Sequence, residues 1–227
     1  VDKKIDSVCP YCGVGCQIEY NVKDNKIKYV NGVDGPANKN RLCVKGRFGF
    51  DYVNNPERLT KPLIRIKDKL KDLHPGISFS NIHEYFREAS WDEALDYAAQ
   101  GFLKLKKQRN GKSNLAGFGS AKCSNEEAYL FQKLIRTGFS TNNVDHCTRL
   151  CHASSVAALL ETIGSGAVTA PFYEVEHSDV IIVIGANPTE NHPVAATFFK
   201  NAAKKGSKLI VMDPRGHALK KHATHML

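Results

Sequence analysis

The sequence lacks any long run of apolar residues. No stretch approaches the roughly 18 apolar residues that a membrane-spanning helix needs, and the start of the chain lacks the basic, apolar and small-residue succession of a signal peptide. Internal repeats and low-complexity segments are missing as well. These absences predict a protein that is soluble, is not inserted in a membrane and, since no export signal is visible, is cytoplasmic.

The two ends of the chain also lack features. The 227 residues begin at Val1 rather than at Met, and they stop at Leu227 without a turn or a cap. Either end could therefore be a boundary within a longer protein, and a targeting signal could lie outside it. A chain of this length is expected to bury roughly 70% of its unfolded surface, in one large domain or two small ones.

Motifs that read nucleic acid are absent, although the formal net charge is +9. Clustered Lys and Arg neutralise phosphates. Here the basic residues are spread along predicted helical faces and no groove-reading or base-stacking motif accompanies them; examples are Lys104, Lys106, Lys107, Arg109 and Lys112. We therefore expect a solvated basic face and no nucleic-acid partner.

Cysteine is abundant, but the two close pairs that are usual for structural zinc are missing. Three thiols lie in CPYCGVGC, residues 9–16, and a fourth lies in RLCVKG. Small residues such as Gly13 and Gly15 let backbone amides approach inorganic sulfide. The spacing favours an iron-sulfur cubane, with zinc and structural or free thiols as alternatives; its ligands would be Cys9, Cys12, Cys16 and Cys43. Lys45 would then stand beside an anionic cluster and could bridge to a second redox centre, unless it is an ordinary surface lysine.

A second candidate site is VDHCTRLCHASS, residues 144–155. Cys147 and Cys151 would share one face of a helix, and His152 follows Cys151 directly. A thiol beside an imidazole is either a nucleophile with its base or a soft metal ligand with an acid-base neighbour. We predict that Cys123 and Cys147 are buried core thiols, as free cysteines often are.

A third candidate site is IIVIGANPTENHP, followed by VMDPRG. A strand ends at Gly185, and a short loop leads into a helix near Pro193 whose first amides could bind a phosphate. The next strand ends at Asp213, an acceptor for ribose hydroxyls or a guanine edge. GxGxxG is absent, so a nicotinamide site is poorly supported, and a plain strand-to-helix turn is the alternative.

Periodicity predicts two domains. Alternating apolar residues indicate a β-hairpin over residues 18–29 that turns at Asp24-Asn25, and residues 54–89 are expected to form an irregular connector on the surface. Two capping boxes, SWDE at 90–93 and SNEE at 124–127, begin helices. The predicted elements after the connector are a helix that stops at Asn110-Gly111, a strand at 115–120, a helix that ends at Gly138, a buried strand at 179–185, a helix at 192–205 and a buried strand at 208–213. We therefore predict an α/β fold: a small N-terminal iron-sulfur domain with a β-hairpin, residues 1–58, and an α/β domain with a mostly parallel sheet, residues 59–227.

Together, these motifs resemble a known family. CPYCGVGC, RLCVKGRFG, GSAKCSNEEAYLFQKL, NNVDHCTRLCHASSV, GANPTENHPV and VMDPR, in that order, are similar to the catalytic subunit of molybdenum- or tungsten-dependent formate dehydrogenases, within the molybdopterin-guanine-dinucleotide oxidoreductases. The resemblance covers nearly the whole chain. It implies formate oxidation to carbon dioxide, or the reverse, at a molybdenum or tungsten bis-molybdopterin guanine dinucleotide, with electrons leaving through a [4Fe-4S] cluster.

The resemblance also implies roles for individual residues. Cys9, Cys12, Cys16 and Cys43 match the cluster ligands, and Lys45 matches the lysine between cluster and pterin. Cys151 matches the ligand of the metal, and His152 matches the histidine that accepts or relays the proton. Gly185, Asn187 and Asp213 match loops that hold one guanine dinucleotide, and Ser120 to Glu126 match a segment near the active site. The implied partners are formate or carbon dioxide and electron-accepting iron-sulfur or flavin subunits.

Two alternatives stay open. Nitrate reductases of the same superfamily typically have methionine after the metal-ligating cysteine, whereas His152 stands here, which favours formate. The other alternative is a non-catalytic electron-transfer fragment, because catalytic subunits of this family run several hundred residues further. They contribute the second pterin's site and a substrate-binding arginine, so residues 59–227 are expected to form an incomplete cofactor domain with a partly open face.

Overall fold

The computed structural model describes residues 1–66, 76–107 and 114–227. Its contacts divide the chain into two compact units. The first unit comprises Val1–Pro56 and Ala167–Leu227, and the second unit comprises Glu57–Gly166. The domain boundary between residues 58 and 59 stays a prediction, and the predicted helix stop at Asn110-Gly111, with Arg109 and Lys112, lies outside the described residues.

The described elements form an α/β fold with an N-terminal antiparallel hairpin region. The strands are β1 Lys3–Val8, β2 Gln17–Lys23, β3 Lys26–Gly32, β4 Leu63–Arg65, β5 Phe86–Glu88, β6 Gly117–Gly119, β7 Val144–His146, β8 Val180–Ile184, β9 Lys208–Met212 and β10 His225–Met226. The α-helices are α1 Val44–Phe48, α2 Ile82–Tyr85, α3 Trp91–Lys107, α4 Asn125–Lys133, α5 Thr148–Cys151, α6 Ala153–Ile163, α7 Pro188–Asn191 and α8 Pro193–Lys204. Shorter 3-10 helices span Asp51–Asn54, Phe172–His177 and Ala218–Lys221, and a π-helix spans Leu134–Gly138.

The predicted hairpin is confirmed in the first unit. β2 and β3 pair antiparallel, and β1 adds to the other edge of β2. The turn residues Asp24 and Asn25 have φ values of 52° and 54°, the left-handed conformation that two-residue hairpin turns require and that Asp and Asn tolerate. Ile18 and Val30 are 1% exposed and form the covered face of this sheet.

A parallel sheet of order β10-β9-β8 completes the first unit. Its covered face presents Ile181, Val183, Leu209 and Val211 to a core that includes Ala202 of α8. The prediction of a fully buried β8 was wrong, because the alternate residues are exposed. Val180, Ile182 and Ile184 are 54%, 55% and 67% exposed, so only one face of the strand is covered.

The second unit contains a short antiparallel pair where an irregular connector was predicted. β4 pairs with β5, joining Leu63 to Glu88 and Arg65 to Phe86. The prediction for residues 54–89 was therefore wrong over these two strands. Each of these strands has three residues, which is too few for an alternation of apolar and polar side chains to be recognised in the sequence.

The two predicted capping boxes differ. At α4 the box is complete: the Glu127 N–H donates to Ser124 Oγ at 3.2 Å, and the Ser124 N–H donates to Glu127 Oε2 at 2.7 Å. At α3 only half is present. The Glu93 N–H donates to Ser90 Oγ at 3.1 Å, but the Glu93 carboxylate pairs with Arg87 because a guanidinium within reach is a stronger partner than an amide.

A second parallel pair, β6 with β7, lies in the second unit. Gly117 of β6 faces Ile135, and a Cβ at position 117 would stand 2.5 Å from the Ile135 side chain. Ile135 is 2% exposed and lies in the π-helix that continues α4 to Gly138, where the sequence placed the helix end. Within the described ranges, no helix is long and apolar enough to span a bilayer.

Candidate functional site

The four cysteines of the predicted cluster lie together in the first unit. Cys9 to Cys16 form the loop that joins β1 to β2, closed by a hydrogen bond from the Cys9 N–H to the Cys16 carbonyl at 2.9 Å. Cys43 is the N-cap of α1. Cys16 belongs to a buried cluster with Val14 and residues of α8, and the other three cysteines pack against it.

The four thiols also interact electrostatically. Burial first, and then the nearby thiols of Cys9, Cys12 and Cys43, raise the pKa of the Cys16 thiol to about 12. Because neighbouring thiolates repel, a buried group of this kind is stable in the ionised form only with a cation among the sulfurs. The donor set is therefore chemically suited to an iron-sulfur cluster, whose irons bind four thiolates.

The surroundings of the thiols admit close backbone approach. Gly15 has a φ of +72°, a conformation that favours glycine. A Cβ on Gly46 of α1 would lie 3.6 Å from Cys9 Sγ, and Tyr11 of the cysteine loop donates its hydroxyl hydrogen to the Gly49 carbonyl just after α1. Contacts with α1 thus join the loop to the helix that Cys43 begins.

In the described part of the chain, the four thiols are not placed around one metal ion. Among residues 1–66, 76–107 and 114–227, no set of three or more His, Cys, Asp and Glu side chains is placed to hold a metal ion. Lys45 lies in α1, is exposed, and makes no side-chain hydrogen bond or ion pair with the described residues.

Cys151 and His152 lie in the second unit, at the junction of two helices. Cys151 is the last residue of α5, and its N–H donates to the Cys147 carbonyl at 3.1 Å. His152 has φ −149° and ψ 30°, which interrupts the helical path between α5 and α6. Both side chains are exposed, so the break in the helix presents the thiol and the imidazole at the surface of the unit.

The prediction that Cys123 and Cys147 are buried core thiols was wrong. Cys123 is exposed, and its thiol donates to the Ser120 carbonyl at 3.0 Å. Cys147 is half-buried, with Sγ 3.8 Å from His146 Nδ1. Both follow strand ends, Cys123 after β6 and Cys147 after β7, so neither lies on the covered face of a helix or strand.

A cavity of about 580 Å³ opens beside these strand ends, within the second unit. Aromatic and polar side chains line it: Phe118, Ser120, Cys123, Phe131, Arg136 and His146 are among them. Part of the predicted segment Ser120 to Glu126 therefore borders a cavity. Cys151 and His152 are not among its lining residues.

The sequence interpretation missed His146. Its Nδ1 accepts a hydrogen bond from the Thr148 N–H at 3.1 Å, so in the neutral imidazole Nε2 holds the proton. The preceding Asp145 has a lowered pKa because the His146 N–H donates to it and Arg149 pairs with it at 3.0 Å. His146 is the last residue of β7. Its place at the end of a short strand in NNVDHC was the signal that could have indicated it.

The third candidate site lies at one edge of the parallel sheet in the first unit. Ile184 of β8 pairs with Met212 of β9, so Gly185 and Asp213 follow neighbouring strands at the same edge. Gly185 has a φ of +57° and donates its N–H to the Met212 carbonyl at 2.9 Å. The crevice at the carboxyl ends of parallel strands is where open α/β sheets bind ligands.

The polar groups at this edge are well fixed. The Asp213 side chain is 6% exposed, and its Oδ1 accepts from the Arg215 N–H at 2.8 Å. Asn187 is also 6% exposed and caps α7, and its Oδ1 accepts from the Thr189 hydroxyl. The helix expected near Pro193 is present as α8, and the short α7 precedes it.

Comparison with known proteins identifies the family. Residues 2–55 match the molybdopterin oxidoreductase Fe4S4 domain, and residues 58–226 match the molybdopterin oxidoreductase family. The chain therefore combines an Fe4S4 domain with a molybdopterin oxidoreductase domain, and these domains imply a 4Fe-4S cluster and a molybdopterin metal cofactor. The chain belongs to the molybdopterin oxidoreductase family.

Individual relatives extend the comparison. The chain is 42% identical over 215 residues to YrhE of Bacillus subtilis, provisionally named a formate dehydrogenase, covering 94% of this chain and 20% of that protein. It is 39% identical over 212 residues to the F420-dependent formate dehydrogenase 1 subunit alpha of Methanococcus maripaludis, covering 93% of this chain and 28% of that protein. The chain thus spans 20% and 28% of the length of these two relatives.

A solved structure has the same fold. Acetylene hydratase from Pelobacter acetylenicus superposes with a TM-score of 0.72 at 21% identity, over 99% of this chain and 29% of that one. At this identity the likeness concerns the fold.

Proposed function

We propose that the chain is the N-terminal part of a formate dehydrogenase. The observation on which this proposal depends is the pair Cys151-His152 at the break between α5 and α6, in a chain whose relatives include proteins named formate dehydrogenases. The reaction would be the two-electron oxidation of formate to carbon dioxide, or its reverse.

The thiol group of the first unit would hold the 4Fe-4S cluster. The clustering of Cys16 with the other three cysteines supports this assignment. Lys45 would lie on the electron path, where its ammonium would face the negative charge of a cluster bound by four thiolates. Its position in α1, two residues after Cys43, supports this role.

The edge formed by Gly185, Asn187 and Asp213 would hold a guanine dinucleotide of the pterin cofactor. Gly185 supplies a backbone without a side chain at the strand end, and the Asp213 carboxylate is a fixed acceptor for ribose or guanine N–H and O–H groups. The site fits such a group because its acceptor is buried and oriented.

Cys151 would ligate the metal, and His152 would accept the proton that formate releases. Formate oxidation releases carbon dioxide, one proton and two electrons, so the site needs a base and an electron acceptor. When bound, the molybdenum or tungsten pterin supplies the two-electron acceptor. The exposed His152 imidazole, next to Cys151 in the chain, is the base that accepts this proton.

The proposed partners follow from this chemistry. Formate or carbon dioxide is the substrate, and iron-sulfur or flavin subunits accept the electrons one at a time from the cluster. We also propose a cytoplasmic location. A nitrate reductase-type activity is the second candidate, and His152 in place of the methionine typical of those enzymes disfavours it.

Metal analysis of the anaerobically purified protein, with a formate-dependent dye assay, tests the proposal. Iron near four atoms per chain, together with molybdenum or tungsten and dye reduction by formate, is the expected result. Iron without molybdenum or tungsten would leave an electron-transfer fragment, and zinc alone would overturn the cluster assignment.

Two variants sharpen this test. His152→Gln should lower formate-dependent dye reduction by about 10²- to 10⁴-fold while the iron and molybdenum or tungsten contents stay unchanged, because only proton transfer is lost. His83→Gln, at an exposed histidine of α2, is the matched control and should keep full activity. Equal activity of the two variants would argue against His152 as the base.

A further inference from the structure

Asn38 is a fully buried polar side chain between the two segments that contain the cysteines. Its exposed fraction is 0%. Its Oδ1 accepts from the Gln17 N–H at 3.0 Å, and its Nδ2 lies 3.1 Å, 3.2 Å and 3.0 Å from the carbonyl oxygens of Gln17, Val33 and Arg41. Because the amide has two N–H groups, one hydrogen is shared between two of these carbonyls.

The partners of Asn38 adjoin the cysteines. Gln17 directly follows Cys16, and Arg41 precedes Cys43 by two residues. The Asn38 amide therefore fixes the backbone beside the end of the cysteine loop and the backbone that leads to the fourth thiol. A rigid cluster needs its four sulfur atoms at fixed distances from one another. A side chain that is hydrogen-bonded to both segments therefore constrains the distance between Cys43 and the cysteine loop.

The loop that contains Asn38 is shaped to admit its amide. A Cβ on Gly35 would lie 2.7 Å from Asn38 Oδ1 and 2.8 Å from the Gln17 side chain. Lys39 and Asn40 have φ values of 45° and 61°, and the Arg41 N–H donates to the Asn38 carbonyl at 2.8 Å. These left-handed residues turn the chain back so that Arg41 meets the buried amide.

From this geometry we infer that Asn38 is a positioning residue for the iron-sulfur cluster, which locks Cys43 in register with the loop of Cys9, Cys12 and Cys16. The inference rests on the proposed cluster assignment and goes beyond it, since Asn38 contacts the ligand-bearing backbone without being a ligand. Loss of the amide would remove the hydrogen-bond partner that Asn38 supplies to the Gln17 N–H and to the Arg41 carbonyl. Without the cluster, the distance between Cys43 and the loop of Cys9, Cys12 and Cys16 would then vary more. The chain would accordingly bind the cluster less tightly.

Asn21 provides a matched control in the same sheet. It is also 0% exposed, but among the described residues its Nδ2 donates to Glu19 alone, at 3.2 Å and 3.4 Å, two residues away on β2. Within the described part of the chain its Oδ1 has no hydrogen-bond partner. Substitution of Asn21 therefore removes a buried amide of equal size without touching the segments beside the cysteines.

The experiment compares the full chain with its Asn38→Ala and Asn21→Ala variants after anaerobic cluster reconstitution. We expect Asn38→Ala to release iron to a chelator about tenfold to hundredfold faster than the unmodified chain, with an altered electron paramagnetic resonance line shape of the reduced cluster. Asn21→Ala should keep the release rate and the line shape of the unmodified chain. Far-UV circular dichroism checks that both variants are folded.

The outcomes separate the inference from the proposed function. If the unmodified chain takes up no cluster, both the cluster assignment and the role of Asn38 are overturned. If the unmodified chain holds its cluster and the two variants release iron at the same rate, the role of Asn38 alone is overturned.

A measurement on the unmodified chain decides the case in which Asn38→Ala does not fold. Coupling between two sites is reciprocal, so cluster binding should slow hydrogen exchange of the Asn38 side-chain amide by about tenfold or more, with a smaller effect at Asn21. Unchanged exchange at Asn38 on cluster removal would overturn the inference.

Discussion

At the N-terminus of α4, Ser124 and Glu127 satisfy one another's backbone amides. The Ser124 N–H and hydroxyl donate to the Glu127 carboxylate at 2.7 Å and 2.9 Å. These hydrogen bonds hold the pKa of Glu127 below its usual range, the backbone bond most strongly. A carboxylate whose pKa is lowered in the folded state adds stability above the unfolded pKa, and that stability is lost as the pH falls through the folded pKa.

The Glu127→Gln variant tests this acid dependence. Glutamine keeps an oxygen that accepts from Ser124 but does not titrate. We expect the melting-temperature difference between the unmodified chain and the variant to be largest near neutral pH and to shrink below about pH 4.5. Thermal unfolding followed by circular dichroism at several pH values measures it, and a difference that stays constant with pH would contradict the prediction.

Among the elements, α8 joins two cores of the first unit. Val194, Ala195 and Phe198 pack in the cluster that contains Cys16, whereas Ala202 packs with the parallel sheet. Phe198 is 1% exposed, and the Arg41 guanidinium lies 4.3 Å from the centre of its ring. One helix therefore supports both the thiol group and the covered face of the parallel sheet.

Phe198→Ala should destabilise the first unit strongly. The substitution removes a buried ring and the contact with Arg41, and comparable changes cost about 3–5 kcal/mol. Urea unfolding gives the free energy of unfolding. Phe118→Ala is the control, since Phe118 is 82% exposed and its replacement should change that free energy by no more than about 0.5 kcal/mol; equal losses in the two variants would show that burial of Phe198 is not the cause.

At the scale of the whole molecule, the proposed redox groups are divided between the two units. The four cysteines of the proposed cluster lie in Val1–Pro56, whereas Cys151 and His152 lie in Glu57–Gly166. A ligand that binds only the folded state stabilises the residues that surround it. Cluster binding should accordingly act on the unit that contains the thiols.

Iron removal is expected to affect the two units unequally. Hydrogen exchange measured before and after chelation should show faster exchange in residues 1–56 and 167–227, by about tenfold or more in the strands beside the cysteines, because the bound cluster adds to folding free energy. Exchange in β6, β7 and α4 should change little. A uniform increase over the whole chain would mean that the two units do not respond separately.

Local patterns were sufficient for most elements. The turn at Asp24-Asn25 and the capping box at Ser124 were predicted from residue types that act on their own neighbours, and both are confirmed. Parallel pairing of β8 with β9 also follows from strand-helix-strand order. Two of the errors, at Ile182 and Cys123, concern burial, because exposure depends on which distant residues cover a side chain. The missed pair of β4 and β5 is an error of pairing between short, separate segments.

The sequence by itself determined the cysteine spacing, the order of the motifs and, through them, the family. Only the tertiary structure decided that Cys43 joins the loop of Cys9 to Cys16, that Gly185 stands beside Asp213, and that the Asn38 amide bonds to the segments on both sides of the thiols. The physical reason is the distance along the chain between the interacting residues. Propensity and periodicity depend on residues that are close in sequence, whereas packing and hydrogen bonds between separate segments form only when the folded backbone brings those segments together.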